Sequence, residues 1–597
     1  MKKFLFSILL ALLAFFGAQA QDRFDVNRDG VVNGSDVTAL YQYLLEGIGD
    51  DDDPTPTPVA RGIYICNEAG WSEVALYAWP ENGVFPAWPG IVSSGTIEKN
   101  GKVYHKFDMG DSYFGTALNY IANNNAQGSQ VDLMSTTLGD EPVFVTVYVG
   151  GDGKVAYRID REEVSTTEKN HVIYEMNVGA FTQAGTFAAA QARLTELQAM
   201  GVDVLWLMPI YPRGGGINSP YAATDFQAVN SSYGNIASLK NFVAKAHELG
   251  MEVWLDWVPN HTATNAKWVT EHPEYYKKRN NSFVNPNGYS DVYQLNYESA
   301  ALRNAMNDCL KFWIDQADVD GFRCDFVSSS EIPASYWQEA IPLIKNYKSG
   351  KSISFLGEAD IVQKETRLLN VGFDYDYAWQ FQGGQLVAFG PTGTSGTNLR
   401  SRCENFVNAS KNASIKRMMY LTNHDVSYND GGKTLVSLYG ANRYAFTVLT
   451  FTLYGDPLLY NGQEIGTTQT LNYFTDEKVN WNSVDNKMKN TVTVLGQLHQ
   501  QEAALAARVE PVFLSSNNNS VMAYTKTSGT SCVLVVMNMG SGAASAKLSG
   551  VPEGNYVKRL SSDNIASGVS STVQPQALTS TPTISLEAKG YAVYVKQ

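Results

Sequence analysis

From His171 to about residue 509 the chain repeats one kind of unit, a short apolar run followed by a stretch with helical periodicity. The apolar runs are Val172 to Asn177, Val202 to Met208, Glu252 to Val258, Gly321 to Cys324, Ile353 to Leu356 and Arg417 to Leu421. Parallel strands cannot be joined by a tight turn and need a crossover, for which a helix is the usual solution. Strands alternating with helices therefore predict a parallel β/α array, and the length of this one suits eight units closed into a (β/α)8 TIM barrel. That expectation also says where chemistry can sit, because reacting groups in such barrels stand at the carboxyl ends of the strands.

Four of these strand ends carry acidic or histidine side chains. The third strand runs into Leu255-Asp256-Trp257-Val258-Pro259-Asn260-His261 and the fourth into Arg323-Cys324-Asp325. The fifth runs into Gly357-Glu358-Ala359-Asp360 and the seventh into Thr422-Asn423-His424-Asp425. In order and spacing these segments resemble the four hallmark regions of the α-amylase family of glycoside hydrolases, family thirteen. Upstream, Ser219-Pro-Tyr221-Ala-Ala-Thr-Asp225-Phe226 resembles the family's GYDVTDY element, and Tyr454-Gly-Asp-Pro-Leu458 resembles its run into strand eight.

The resemblance implies a retaining glycoside hydrolase with Asp325 as nucleophile, Glu358 as acid/base and Asp425 as a third essential carboxylate that binds sugar hydroxyls. Retention needs two carboxyl groups about 5 to 5.5 Å apart, one to attack the anomeric carbon and one to protonate the leaving oxygen. Arg323 lies two residues before Asp325, hence on the same strand face, and is expected to keep that carboxylate ionised by charge pairing. Glu358 is expected to have its pKa raised by the neighbouring negative charge. The resemblance further implies that His261 and His424 bind hydroxyls, that Tyr221 stacks under the cleaved unit, and that Asp256 is the buried partner of Arg323. His105, His171, His247, His272 and His499 lie outside these motifs and are expected to be structural. Internal α-1,4-glucosidic bonds of starch and maltooligosaccharides are the expected substrate. The alternatives are a neopullulanase- or cyclomaltodextrinase-like hydrolase, a 4-α-glucanotransferase and, last, a noncatalytic glucan-binding protein.

The chain departs from the family pattern in two places. Many members hold a calcium ion with the Asn after strand three and two further ligands; Asn260 is present, but Val292-Tyr-Gln294-Leu-Asn296 and Phe326-Val-Ser-Ser329 supply neither of the others. The Lys-His pair that helps bind the leaving side is also absent. No organic cofactor is expected.

The flanks predict a modular, exported protein. Met1 to Ala20 has Lys2 and Lys3, an apolar run and Ala18-Gln-Ala20, which reads as a cleavable signal peptide and leaves no membrane span. Export to the periplasm, the cell surface or the medium follows. Residues 21–49 contain DVNRDGVVNGSD, with Asp25, Asn27, Asp29 and Asp36 at oxygen-ligand positions and Val31 at the backbone-carbonyl position of an EF-hand calcium loop. The segment resembles one repeat of a dockerin, which implies calcium binding and a cohesin-like partner. Residues 50–60 form an acidic, Pro/Thr-rich linker. Residues 61–164 show short alternating segments, and GWSEVALYAW, AWPG and NYIANNNAQGSQVDL resemble starch-binding modules of carbohydrate-binding families twenty-five and twenty-six. That resemblance makes Tyr77, Trp79 and Trp88 the candidate glucose-stacking residues, with Trp71 a weaker one. The barrel is assigned to 165–509, with a short inserted lobe at about 261–297, and a closing β-sandwich to 510–597. A net charge of -14 argues against nucleic acid as the partner. The five dispersed cysteines have no CxxC spacing and are expected to be buried packing groups.

Overall fold

The computed structural model describes residues 62–80, 87–99, 102–109, 113, 117–125, 128–131, 134–137, 143–149, 155–160, 170–429, 431–563 and 574–597. The segments expected to form the signal peptide, the calcium loop at Asp25 to Asp36 and the linker lie outside these residues. The chain divides into two compact units at Glu162/Glu163.

The first unit is a β-sandwich. One sheet has the order Gly95–Lys99, Lys102–Lys106, Ile63–Asn67, Val143–Val149, Val155–Asp160, and the other Ile91–Val92, Ala75–Pro80, Ala117–Asn123, Met134–Thr137. Ile63, Ile65, Val145 and Val147 of the first sheet meet Leu76, Ala78, Leu118 and Tyr120 of the second in a single core. Because side chains alternate along a strand, burying Leu76 and Ala78 turns Tyr77 and Trp79 to the outer face. The turn carrying Trp88 lies close over that strand: at Gly90, with φ of +94°, a Cβ would stand 2.3 Å from the Leu76 carbonyl oxygen, so only glycine fits.

In the second unit eight parallel strands close into a barrel. They are Ile173–Met176, Val204–Leu207, Glu252–Trp257, Gly321–Cys324, Ser354–Gly357, Tyr375–Tyr377, Lys416–Met419 and Asp456–Tyr460. The sixth is absent from the six apolar runs, for a physical reason. It is three residues long and reads Tyr-Asp-Tyr, its fully buried Asp376 being neutralised by the equally buried Arg417 at 2.8 Å. Outer helices bury one stripe each. Helix Ala300–Ala317, capped by the Ser299 side chain, buries Leu302, Met306, Leu310, Trp313 and Ala317 at three- and four-residue spacing.

A small lobe interrupts the array after strand three, where His261–Ala263 pairs antiparallel with Val292–Gln294 beside the hairpin Lys278–Arg279/Ser282–Phe283. The C-terminal part has a six-stranded and a three-stranded antiparallel sheet. Met522, Tyr524, Val535 and Tyr591 of the larger sheet join the same hydrophobic core as the barrel. All five cysteines are buried. Among the described residues no helix is long and apolar enough to cross a membrane.

Candidate active site

Strand register brings the charged residues together. Asp256 of strand three is the direct partner of Arg323 in strand four, so the two side chains share a face, and Asp325 follows two residues on. Arg323 Nη1 donates to Asp256 Oδ1 at 2.9 Å and to Asp325 Oδ1 at 3.0 Å, and Nε donates to Tyr377 Oη at 3.1 Å. Its Nη2 forms an ion pair with Glu358 Oε1 at 2.6 Å. One fully buried guanidinium therefore bridges three carboxyl groups, with the face of Trp206 5.0 Å away. A buried arginine without such partners would be prohibitively costly, and the same holds in reverse for the carboxylates.

The two central carboxyl groups are tuned apart. Burial is the largest influence on both and disfavours their charged forms. For Glu358, burial is opposed by Arg323 and reinforced by Asp325 and Asp425, and the pKa rises to about 8. For Asp325, burial again leads, Arg323 opposes it, Asp256 and Asp425 add to it, and the pKa rises to about 6. Arg323 favours the ionised form of Asp325, and it limits the rise without overcoming desolvation. Neighbouring negative charge does raise Glu358, but burial is the greater cause. The Phe326 N–H donates to Glu358 Oε2 at 2.6 Å. It does so from φ of +46°, a left-handed conformation that a bulky residue adopts only at a cost.

A second chain of contacts supports Asp256. Trp206 Nε1 and Tyr221 Oη both donate to Asp256 Oδ2, each at 3.1 Å. Tyr221 stacks on His424 with centroids 5.3 Å apart, and its hydroxyl is 2.9 Å from His424 Nε2. His424 Nδ1 contacts the buried Glu175. Burial opposes charge on this imidazole, but Asp425 and Glu175 outweigh it and lift the pKa to about 9. Protonated, His424 donates to Glu175 and to Tyr221 Oη, which frees the tyrosine proton for Asp256. Asp425 is half-buried, and its Oδ1 accepts from Asn429 Nδ2 at 2.7 Å. His261 stands apart. Burial lowers its pKa to about 4, and its Nδ1 lies 3.1 Å from Asn260 Nδ2. Among the described residues no hydrogen bond joins it to the three carboxylates.

The position of the family's barrel calcium does not fit a cation. Gln294 Nε2 sits there as a donor, 2.7 Å from the Asn260 carbonyl oxygen and 3.1 Å from Asn260 Oδ1. An amide N–H thus uses the oxygens a metal would need and ties the inserted lobe to the end of strand three. In the first unit Tyr77 lies 5.1 Å from both Trp79 and Trp88, centroid to centroid, and Trp88 is 45% exposed. Trp71 is instead pinned beside the core, its Nε1 donating to Ser129 at 3.1 Å.

Sequence reasoning missed Glu175, Trp206, Tyr377 and the Phe326 N–H. Glu175 did leave a signal, a carboxylate in the middle of the apolar run Ile173-Tyr-Glu-Met176, where an unpartnered charge is not tolerated. Tyr377 was hidden with the unrecognised strand six.

Comparison with known proteins follows this architecture. The description "Alpha amylase, catalytic domain" matches residues 161–293 and 275–504, "Alpha amylase, C-terminal all-beta domain" matches 514–597, and "Dockerin type I domain" matches 23–60. The chain is 26% identical over 447 residues to alpha-amylase MalA of Haloarcula japonica, covering 70% of this chain and 62% of that protein. It is 24% identical over 353 residues to malto-oligosyltrehalose trehalohydrolase of Saccharolobus solfataricus, covering 53% and 61%. The match to alpha-1,4-glucan:maltose-1-phosphate maltosyltransferase of Rhodospirillum rubrum is 25% over 413 residues, covering 62% and 56%. The chain thus spans less than two thirds of the length of these relatives. Its fold is that of a noncanonic maltogenic alpha-amylase, AmyB, from Thermotoga neapolitana (TM-score 0.61, 24% identity, 72% of this chain and 99% of that one). An alpha-amylase from Lactobacillus plantarum aligns with TM-score 0.58 at 24% identity, over 72% and 100% of the two chains.

Proposed function

The chain belongs to the α-amylase family of glycoside hydrolases, and from that premise we propose that it is an exported, retaining enzyme that cleaves internal α-1,4-glucosidic bonds of starch and maltooligosaccharides. The observation that carries this reading is the single buried guanidinium of Arg323 shared by Asp256, Asp325 and Glu358, with the last two set to different pKa values. Near neutral pH, Asp325 is ionised and can attack the anomeric carbon, while Glu358 keeps the proton that the leaving oxygen needs. The bond from Asp325 Oδ to the anomeric carbon forms as the glycosidic C–O bond breaks. Water then attacks the glycosyl-enzyme with Glu358 as base, which restores both carboxyl groups. Asp425 binds hydroxyls of the distorted sugar, Tyr221 lies under its ring, and His424 and His261 bind hydroxyls at its edge. The reading is tested by product analysis on soluble starch, pullulan and cyclodextrin. Mixed maltooligosaccharides released early with retained α configuration are the expected result.

The absent leaving-side Lys-His pair favours one second reading, action on pullulan or cyclodextrin or transfer to a sugar acceptor. Preferred cleavage of pullulan or cyclodextrin over starch replaces the first reading with this one.

The tuned pair predicts a bell-shaped pH dependence of kcat/KM. Activity rises as pH passes about 6 and Asp325 ionises, and falls above about 8 as Glu358 loses its proton. Glu358→Gln therefore removes the alkaline limb and leaves the acid limb near pH 6, where Glu358 already carries its proton and is neutral. A flat profile from pH 5 to 9 contradicts the assignment.

The aromatic cluster Tyr77, Trp79 and Trp88 is proposed as a starch-binding face. Trp88→Ala is expected to weaken retention on granular starch by about tenfold while turnover of maltooligosaccharides stays intact, and unchanged retention rejects the face. The dockerin-type segment is proposed to bind calcium through Asp25, Asn27, Asp29, Val31 and Asp36 and to dock a cohesin-like partner outside the cell. Calcium bound there would take no part in hydrolysis.

A further inference from the structure

Glu175 is the one acid in strand one, Ile173-Tyr-Glu-Met176, whose other three side chains are apolar or aromatic and fully buried. Its carboxyl group is equally removed from water. One oxygen, Oε1, contacts Nδ1 of His424, and the other accepts no hydrogen bond among the described residues. A buried carboxylate with a single partner is costly unless that partner carries the opposite charge. What Glu175 does is therefore to be sought in the state of His424.

Both ring nitrogens of His424 face oxygen. Nδ1 meets Glu175, while Nε2 lies 2.9 Å from Tyr221 Oη and 3.5 Å from Asp425 Oδ1. A neutral imidazole has one N–H and one lone pair. With its N–H given to an ionised Glu175, a neutral ring would turn its Nε2 lone pair toward Asp425 and repel it. It would also draw the Tyr221 proton away from Asp256 Oδ2, which now accepts it at 3.1 Å. A doubly protonated ring satisfies every one of these contacts. Burial opposes charge on the ring, Asp425 and Glu175 favour it, and Arg323 opposes it, with the balance lifting the pKa to about 9. Tyr473 and Trp206 meet the ring edge-on and bring no charge.

We propose that Glu175 is a positioning residue of the active site: by accepting the Nδ1 proton it keeps His424 a double donor, whose second N–H and positive charge serve Asp425 and the carboxyl groups beyond it. The role rests on the hydrolase reading above. It gives the barrel mouth two buried cations, Arg323 and His424. It also orders the protons along a path from Glu175 through His424, Tyr221 and Asp256 to Arg323. The charge on His424 favours the ionised forms of both Asp256 and Asp325, so its loss reaches the nucleophile as well as the hydroxyl-binding edge of the site.

The test reads the proton on His424 and turnover together, on the full-length protein carrying histidine labelled with carbon-13 at Cε1. The His424 resonance is identified by its loss in His424→Asn. In the wild type it is expected to titrate near 9. Glu175→Gln keeps the size and a hydrogen bond to Nδ1 but removes the charge, and is expected to lower that midpoint by about one pH unit or more, a tenfold loss of proton affinity. Glu175→Asp keeps the charge on a shorter arm and is expected to fall between the two, which preserves the test if Glu175→Gln does not fold. The variant ring is still protonated at low pH. The wild-type-to-Gln ratio of kcat/KM on maltotetraose is therefore expected to lie within about threefold at pH 6 and to reach about tenfold at pH 8. A ratio that does not change with pH would show that Glu175 only fills the strand, and an unshifted His424 midpoint would show that the ring holds its proton without it. Either result overturns the role. A wild-type protein that cleaves none of maltotetraose, pullulan and cyclodextrin overturns the hydrolase reading, and the role in turnover with it.

Discussion

Asp325→Asn is expected to lower turnover of soluble starch by about 10⁴-fold or more, because it removes the atom that bonds to the anomeric carbon. The substitution is nearly isosteric, and the amide oxygen still accepts from Arg323 Nη1 in the place of Asp325 Oδ1. Loss of activity with unchanged circular dichroism and unfolding midpoint would therefore report chemistry. Glu358→Gln serves as the counterpart. General acid catalysis contributes about 10² to 10⁴-fold, but a fluoride leaving group needs no proton. Glu358→Gln should thus lose most of its activity on maltooligosaccharides and keep rapid first-step release of fluoride from α-maltosyl fluoride. Asp325→Asn should lose both. Wild-type rates in Asp325→Asn, or equal sparing of the fluoride reaction in both variants, would reject the assignment of roles.

Arg323→Met should produce the largest stability loss of any single substitution in the second unit. The guanidinium is fully buried and serves Asp256, Asp325 and Glu358 together. Removing one partner of a buried ion pair costs about 3 to 5 kcal/mol because it strands the remaining charge, and here three carboxyl groups are stranded. The pH dependence gives the sign. In the wild type, burial already raises Asp256 to about 6 and Glu358 to about 8, with Arg323 pulling each down. Without Arg323 the folded-state pKa values rise further above their unfolded values. The folded carboxyl groups of the variant then bind protons more tightly than the unfolded ones, so the variant gains stability as pH falls. The difference in unfolding midpoint between wild type and Arg323→Met should be widest above about pH 8 and narrow toward pH 5. A difference that is small at pH 8, or that grows as the pH drops, would contradict the shared-guanidinium description. Asp256→Asn added to Arg323→Met should restore part of the loss by removing one stranded charge.

These predictions depend differently on what could be read from the chain. The alternation of strands and helices predicted the barrel because a parallel sheet imposes that pattern on every unit. Asp325, Glu358 and Asp425 could be put forward from the sequence because each stands in a motif at a strand end. The sixth strand was not recognisable. Tyr375-Asp-Tyr377 carries a fully buried acid, and its charge is met by Arg417, forty-one residues on, which local periodicity cannot register. Strand six brought with it Tyr377 and the Arg323 contact. Glu175 was overlooked for the same reason: a lone acid in an apolar strand makes sense only once His424 is known to lie against it.

The calcium question shows the opposite balance. Counting ligands in the sequence revealed that two were missing beside Asn260. It could not reveal that the Gln294 amide now donates to the oxygens of Asn260, because that contact joins residues 34 positions apart in the chain.

The sequence by itself determined the family, the barrel and the identity of the acidic residues at its mouth, since backbone connectivity and strand-end position are local properties of the chain. Only the tertiary structure decided their protonation. The pKa values of Asp325 and Glu358 depend first on how completely each is removed from water, and then on which charges the barrel register sets beside it. Desolvation and charge proximity are properties of the folded arrangement, so one arginine shared by three acids had no signature in the order of residues.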